Sequence, residues 1–356
     1  MPSDSPLEQA ARLCKRWSHA ASYDDSQWPS QAWADCVAAG VTRWVIPADF
    51  GGDGASSAAI VDGCVELARG QLLVTFVLSQ FQAACQRLAI AGSSQLRQQW
   101  LPRLARGECF ATVGISHLTT SRQHTPQPAV IAEPLPCGFR LTGDIPWVTG
   151  AQRANVLVIG GTLSDGRQVL AAVPGDRPGI ACAASLPFLA LSGSETGPIR
   201  LEELEIDPGE VIAGPAPHVL QAGGSTSGAG SLTTSALAAG HALACLDQLA
   251  VEAESRPTLR QTLTALERRA QELRGHLLRA AAATGAPEHT AESLRTRATD
   301  LALKCSQALL TACKGAGFVR GHPAERLARE ALFFLVWSCP QAVAGQLMHG
   351  FGQCRD

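Results

Sequence analysis

Phe139-Arg140-Leu141-Thr142-Gly143-Asp144-Ile145-Pro146-Trp147-Val148-Thr149-Gly150-Ala151 is the stretch whose reading decides the fold. Phe139 and Leu141 alternate with Arg140 and Thr142, the period of a half-buried strand. Pro146 has no N–H to give to a ladder, so the strand is expected to end, or to lie at a sheet edge, at that point. Trp147 and Thr149 stand two residues apart, and in extended chain both face the same side. A Trp and a Thr at a strand end are also common as plain core and turn residues, so the flanking sequence has to decide between the readings.

Outward from that strand the text stays β-like. Residues 156–159, 169–173 and 199–201 are short apolar runs separated by Ser164-Asp165-Gly166 and Pro174-Gly175-Asp176. Short strands at this spacing predict an antiparallel sheet or barrel. Residues 214–230 are rich in Gly, Ser and Pro and read as a loop. On both sides the period becomes helical. Pro29 suits the first turn of a helix ending at Gly40, and Ser56 suits the cap of one carrying Ile60, Val61, Cys64 and Val65. A third helix is expected over 72–91, and after Gly92 a fourth over 95–106. Beyond 230, residues 231–253 are small and apolar enough to be buried on most sides. Leu259, Leu263, Leu266, Ala270, Leu273 and Leu277 form a narrow helical seam. A further helix carries Leu294, Leu301, Cys305 and Leu309, and a last one starts at Pro323 and holds Leu327, Ala331, Phe334 and Val336. The expected division is 1–108 helical, 109–215 β and 216–356 helical.

The composition is that of a globular chain: 46% hydrophobic and 17% charged over 356 residues. A net charge of -2 does not imply a nucleic-acid or anionic-membrane surface. The twelve cysteines show no Cys-x-x-Cys and no zinc-spaced His. Most lie in apolar helical text, as expected of reduced core residues in a cytoplasmic protein with no metal. Residues 1–7 have no signal-peptide core, and no apolar run is long enough to span a bilayer.

The opening stretch resembles a segment of acyl-CoA dehydrogenases that reads roughly Leu-Asn-Gly-x-Lys-x-Trp-Ile-Thr-Asn-Ala. Leu141, Gly143, Trp147, Thr149 and Ala151 match it, and Ile145 replaces its Lys. Pro47, Phe50, Gly51, Gly52 and Gly54 resemble the family's "Pro-x-x-Tyr-Gly-Gly-x-Gly" break. Leu101, Pro102, Leu104 and Gly107 resemble its "Leu-Pro-x-Leu-x-x-Gly". The resemblance runs from about residue 25 to 345. It implies an α+β fold with an N-terminal helical domain, a central antiparallel β domain and a C-terminal four-helix bundle. It also implies FAD as cofactor, an acyl-CoA or other acyl thioester as substrate, an electron acceptor the sequence does not identify, and a homo-oligomer, dimer or tetramer, through the bundle.

By the same resemblance the flavin ring lies against Trp147, Val148 and Thr149, and against Ile115 and Ser116 in Gly114-Ile115-Ser116-His117-Leu118. There the family has Ala-Leu-Thr/Ser-Glu-Pro, followed by Gly-x-Gly-Ser-Asp. His117, Leu118, Ser121, Arg122 and Gln123 depart from it. Gly315 and Gly317 fall in a Gly-Gly-x-Gly-Tyr segment, where turn amides can approach a phosphate. Lys314 replaces its first Gly. Pro323, Glu325, Arg326 and Arg329 follow the family's Pro-x-Glu-Arg-x-x-Arg-Asp, with Glu330 in place of Asp. Read without the resemblance, this is a tight helix–helix turn stapled by Arg329 to a carboxylate.

Catalysis in that family uses a carboxylate to remove an alpha proton while the flavin takes hydride, and the base must be ionised and within reach. Its usual Tyr-Glu-Gly-Thr segment reads Trp337-Ser338-Cys339-Pro340 here, so Ser338 occupies the base position. The alternative position, a Glu before an Arg, falls on Gly230 and Ser231. The Arg-x-x-Phe-Gly segment that serves a neighbouring subunit's flavin is reduced to Arg256. Cys339 is weighed as a nucleophile and lacks a paired His. A serine hydrolase on Gly114-x-Ser116 fails for want of the second Gly. Three readings follow: an FAD oxidoreductase lacking the usual Glu, a flavin monooxygenase or oxidase of the same fold, and a degenerate non-enzymatic member.

Overall fold

The computed structural model describes residues 4–18, 23–119, 127–221, 227–282 and 289–352, with backbone alone for Ser18 and for 227–231. Ser121, Arg122 and Gln123 lie outside them. Five helices come first: α1 (Pro6–Ser18), α2 (Ser30–Ala39), α3 (Ser57–Gly70), α4 (Leu72–Ala89) and α5 (Ser94–Ala105). Their ends follow the capping chemistry of the sequence. Gly40, at φ 84°, closes α2 by donating to Cys36 and Val37 carbonyls, and Ser56 accepts from the Ala59 amide to open α3.

The middle of the chain is one eight-stranded sheet: β1 (Ala111–Gly114), β2 (Val130–Pro134), β3 (Phe139–Val148), β4 (Val156–Thr162), β5 (Gln168–Pro174), β6 (Ile180–Cys182), β7 (Gly197–Ile206) and β8 (Val211–Ala216). The order is β6-β7-β3-β2-β4-β5-β8, with β1 also on β4. Most neighbours are antiparallel, but β4 runs parallel to both β1 and β2. The sheet is therefore mixed; alternation of apolar residues is the same in either ladder and does not reveal strand direction. β3 also passes through Pro146 instead of ending there. The pairing with β7 slips between Ile145 and Val148, and Pro146 sits inside that irregularity, where no ladder donor is required.

The C-terminal part comprises α6 (Ser227–Ser255), α7 (Arg260–Ala281), α8 (Ala291–Gly317), α9 (Pro323–Phe333) and a further helix, α10 (Gln341–Gly352), packed on α8. α6 begins within the stretch read as loop. Val336 lies beyond α9 and is 75% exposed, so it is no part of the buried face expected of it.

One core joins the N-terminal helices, the C-terminal helices and one face of the sheet, and a second lies on the opposite face around Leu141, Ile159 and Ile199. The α3–α6 crossing is close enough that a Cβ on Gly240 would stand 2.2 Å from the Val65 carbonyl oxygen. Around it, Arg69 holds Asp247 through two bonds of 2.6 and 2.7 Å, and Arg274 of α7 reaches Asp62 of α3 at 2.6 Å. The helices from the two ends of the chain are thus one packed unit, with the sheet set against it.

Candidate functional site

The strand ends come together because a glycine lets them. A Cβ on Gly114 would stand 3.0 Å from Val148 Cγ2 and 3.1 Å from Ile145 Cγ2, so β1 closes on β3 only without a side chain at that point. This sets Ile115 and the 3-10 turn Ser116–Leu118 beside the Trp147–Thr149 end of β3. His117 Nε2 lies 3.0 Å from the Gly160 carbonyl oxygen and anchors the turn on β4. These two sequence signals, some thirty residues apart, meet in space.

They do not present one uniform face. Trp147 is 47% exposed, with Phe188 tilted against it at 6.3 Å between centroids. Val148 is fully buried in the sheet core. Thr149 is buried too: its hydroxyl lies 2.9 Å from that of Thr196, which lies 2.9 Å from that of Ser194. The shared orientation expected of Trp147 and Thr149 holds for a regular strand. Here β3 is irregular from Ile145 to Val148, and Gly150, at φ 60°, turns the chain just beyond it. Trp147 is left outward and Thr149 inward.

The connection before β7 forms the next wall. Phe188 stands beside Trp147, and the next residue, Leu189, is 64% exposed. Arg329 of α9 donates to the Leu189 carbonyl and to Asp25, and Asp25 accepts from the Leu191 amide at 3.2 Å. One residue on, Glu330 is wholly buried. It accepts from the Tyr23 hydroxyl and, at 3.3 Å, from Arg326, and faces His241 at 3.7 Å. Burial pushes the Glu330 carboxyl up, against the pull of Arg326. That environment makes Glu330 a structural acid.

α9 leads to the turn that carries Ser338, which is exposed and sits at φ 44°. Arg295, only 3% exposed, holds this turn: it donates to the Phe334 and Trp337 carbonyls at 2.9 Å each and to the Thr299 hydroxyl at 3.2 Å. Desolvation drags its guanidinium down to about 10. Burial pushes the Cys339 thiol up, which disfavours the thiolate that a nucleophile needs. Gly315 and Gly317 belong to another region, the end of α8. There Lys314 adopts φ 54°, ψ -145°, a conformation suited to glycine, where the resembling segment has Gly. Arg256 is turned inward onto Glu252 and the Ala312 carbonyl.

Sequence reasoning missed Tyr23, Asp25 and Arg295. Nothing local to Tyr23-Asp24-Asp25 signals a partner some three hundred residues away, and Arg295 reads as a surface residue of an amphipathic helix. Among the described residues no group of His, Cys, Asp and Glu is arranged to hold a metal, and no helix is long and apolar enough to cross a membrane.

A helical block, a mixed sheet and a second helical block sharing one core, with two strand ends meeting at an exposed Trp, define the acyl-CoA dehydrogenase type of fold. The comparisons agree. Residues 7–108 match the family model "Acyl-CoA dehydrogenase, N-terminal domain". The chain is 25% identical over 332 residues to the probable acyl-CoA dehydrogenase fadE25 of Mycobacterium leprae, covering 88% of this chain and 85% of that protein. A glutaryl-coenzyme A dehydrogenase in complex with glutaryl-CoA superposes with a TM-score of 0.84 at 18% identity, over 97% of this chain and 93% of that one. The dibenzothiophene monooxygenase TdsC of Paenibacillus sp. A11-2 superposes with a TM-score of 0.75 at 18% identity, over 98% and 97%. The chain is thus similar to acyl-CoA dehydrogenases in sequence, at low identity, and shares their fold. The structural likenesses show its fold, which hosts both dehydrogenases and a monooxygenase.

Proposed function

We propose that this protein is a flavin-dependent oxidoreductase that takes FAD and acts on an acyl thioester or a related substrate without the usual catalytic glutamate. The observation that carries this is Trp147: a large aromatic, half exposed beside Phe188, at the end of β3 on which the Gly114 end of β1 closes. A planar heteroaromatic ring laid on it buries apolar surface and gains about 1 kcal/mol from ring contact. Trp147 and Ile115 would flank the ring and Ser116 would lie at its polar edge, with Val148 and Thr149 fixing the strand beneath. Gly315 and Gly317 would serve the phosphate end. A bound flavin supplies the hydride-accepting chemistry, and the protein supplies placement and exclusion of water.

Ser338, at the base position, is uncharged at neutral pH and a far poorer proton acceptor than a carboxylate. Neither Glu330 nor Glu195 is free to replace it: Glu330 is buried on Tyr23 and Arg326, and Glu195 is held by Arg153 through two 2.7 Å bonds. This favours a second reading, a monooxygenase or oxidase of the same fold, because reduced flavin reacts with oxygen without that base. A member that has lost turnover altogether is the third. The absorbance spectrum of the purified protein tests all three: flavin bands support the first two, and a colourless protein that takes up no flavin leaves the third.

A homo-oligomer, dimer or tetramer, through the C-terminal helices is part of the same reading. Phe318, Val319, Met348 and Phe351 are each more than 60% exposed there, an apolar display that calls for cover. Light scattering at micromolar concentration is expected to give a multiple of the chain mass, and a monomer mass contradicts it.

A further inference from the structure

Any substrate acted on at the turn after α9 has its reacting carbon near residue 338, and its chain must run either inward or along the surface. The inward direction is blocked. Trp337, the residue before Ser338, stacks on Phe333 at 5.1 Å and 14° and meets Phe76 of α4 edge-on at 4.8 Å. Phe76 in turn meets Phe333 edge-on at 4.9 Å. Each ring touches the other two, separations that leave no gap for a hydrocarbon chain between them. Phe76, the innermost ring, is 4% exposed, and Phe333 and Trp337 are half-buried over it, so the trio closes the way from this turn towards α4. The turn itself is held from behind by Arg295 through two carbonyls, which opposes a swing of Trp337 out of the way. Outside the trio, Leu332 and Val336 are exposed, and a chain laid over them stays largely in water.

We infer that Phe76, Phe333 and Trp337 set the substrate size of this site, restricting it to short or compact acyl groups. The inference rests on the acyl thioester reading above. Its physical content is a missing increment: a chain entering an apolar interior gains ~4-fold in affinity per buried methylene, and a chain lying in water gains little.

The test is calorimetric titration of the full chain, with FAD present, by butyryl-CoA and by octanoyl-CoA. The expected result is affinities within ~5-fold of each other, well short of the ~4-fold per methylene of a buried chain. Phe76→Ala is expected to open the interior and tighten octanoyl-CoA at least ~10-fold relative to butyryl-CoA, with Trp337→Leu as the second variant if Phe76→Ala fails to fold. A wild-type protein that binds octanoyl-CoA ~100-fold or more tightly than butyryl-CoA overturns the size limit while leaving the acyl thioester reading intact. Folded variants whose preference stays that of the wild type also overturn the assignment to these rings. Binding of neither thioester, with FAD bound, overturns the acyl thioester reading and this inference with it.

Discussion

A single nitrogen of Arg329, Nη1, lies 2.8 Å from Asp25 Oδ2 and 2.8 Å from the Leu189 carbonyl oxygen. Asp25 belongs to the loop between α1 and α2, Leu189 to the connection before β7, and Arg329 to α9. One guanidinium therefore joins the N-terminal helices, the sheet and the bundle beside the Trp147 surface.

Removing that junction is expected to cost stability. Arg329→Ala leaves Asp25 and Glu325 without their cation, and about 1–3 kcal/mol of unfolding free energy is expected to go. Arg329→Lys is expected to recover only part, because an ammonium cannot hold two carboxylates and a carbonyl with the same planar fork. Urea unfolding of the three proteins checks this, and equal midpoints for wild type and Arg329→Ala contradict it.

The α3–α6 contact gives a sharper case. Gly240→Ala places a Cβ 2.2 Å from the Val65 carbonyl oxygen and 2.8 Å from Ala68 Cβ, so the helices must part. A loss of about 1–3 kcal/mol is expected, despite the helix preference for Ala. Thermal unfolding that is unchanged or raised by the substitution would show that the crossing is looser than described.

His241 predicts a pH dependence. Burial holds it neutral down to about 3, below the ~6.5 of an unfolded chain. The unfolded chain therefore binds a proton below ~6.5 that the folded chain refuses. The contribution is intact above that pH and drains away as the pH falls towards 3, by about 1 kcal/mol at pH 5.5. Glu330, pushed up by burial, has the opposite sign: its contribution is present at low pH and lost as the pH rises through its folded pKa. Comparing His241→Gln with wild type isolates the histidine. The variant should lose less stability between pH 7 and 5.5, and parallel curves refute the assignment.

How much of this was legible in the sequence differs by region. The order of helices and strands followed from period and caps, as at Gly40 and Ser56. The pairing of the Gly114–Ser116 segment with the end of β3 came from the resemblance, and Gly114, close to Ile145 and Val148, is the physical reason the two strands approach. The orientation of Thr149 was not legible, because a strand irregularity at Pro146 flips a side chain without changing the apolar pattern. Neither were the parallel pairings of β4, the Tyr23–Glu330 contact or the burial of Arg295 on the Phe334 and Trp337 carbonyls. Each depends on segments far apart in the chain.

Ser338 bears on activity. Little or no oxidation of straight-chain acyl-CoA by an artificial electron acceptor is expected from the wild type, since a missing base removes about 10²–10⁴ in rate. Ser338→Glu is expected to restore part of it with a short acyl chain. The recovery is limited because residue 338 sits at φ 44°, where Glu is strained. Robust turnover by the wild type contradicts this account. No turnover by either form, with flavin bound, favours the monooxygenase or degenerate readings.

The central claim is that the Trp147 surface receives a flavin ring. Titrating FAD onto the apo-protein, followed by flavin fluorescence and absorbance, tests it most directly. The account predicts saturable quenching with a shifted spectrum, and an affinity ~5-fold weaker in Trp147→Ala, the equivalent of about 1 kcal/mol. A flavin signal that stays that of free FAD even at high protein concentration would contradict it.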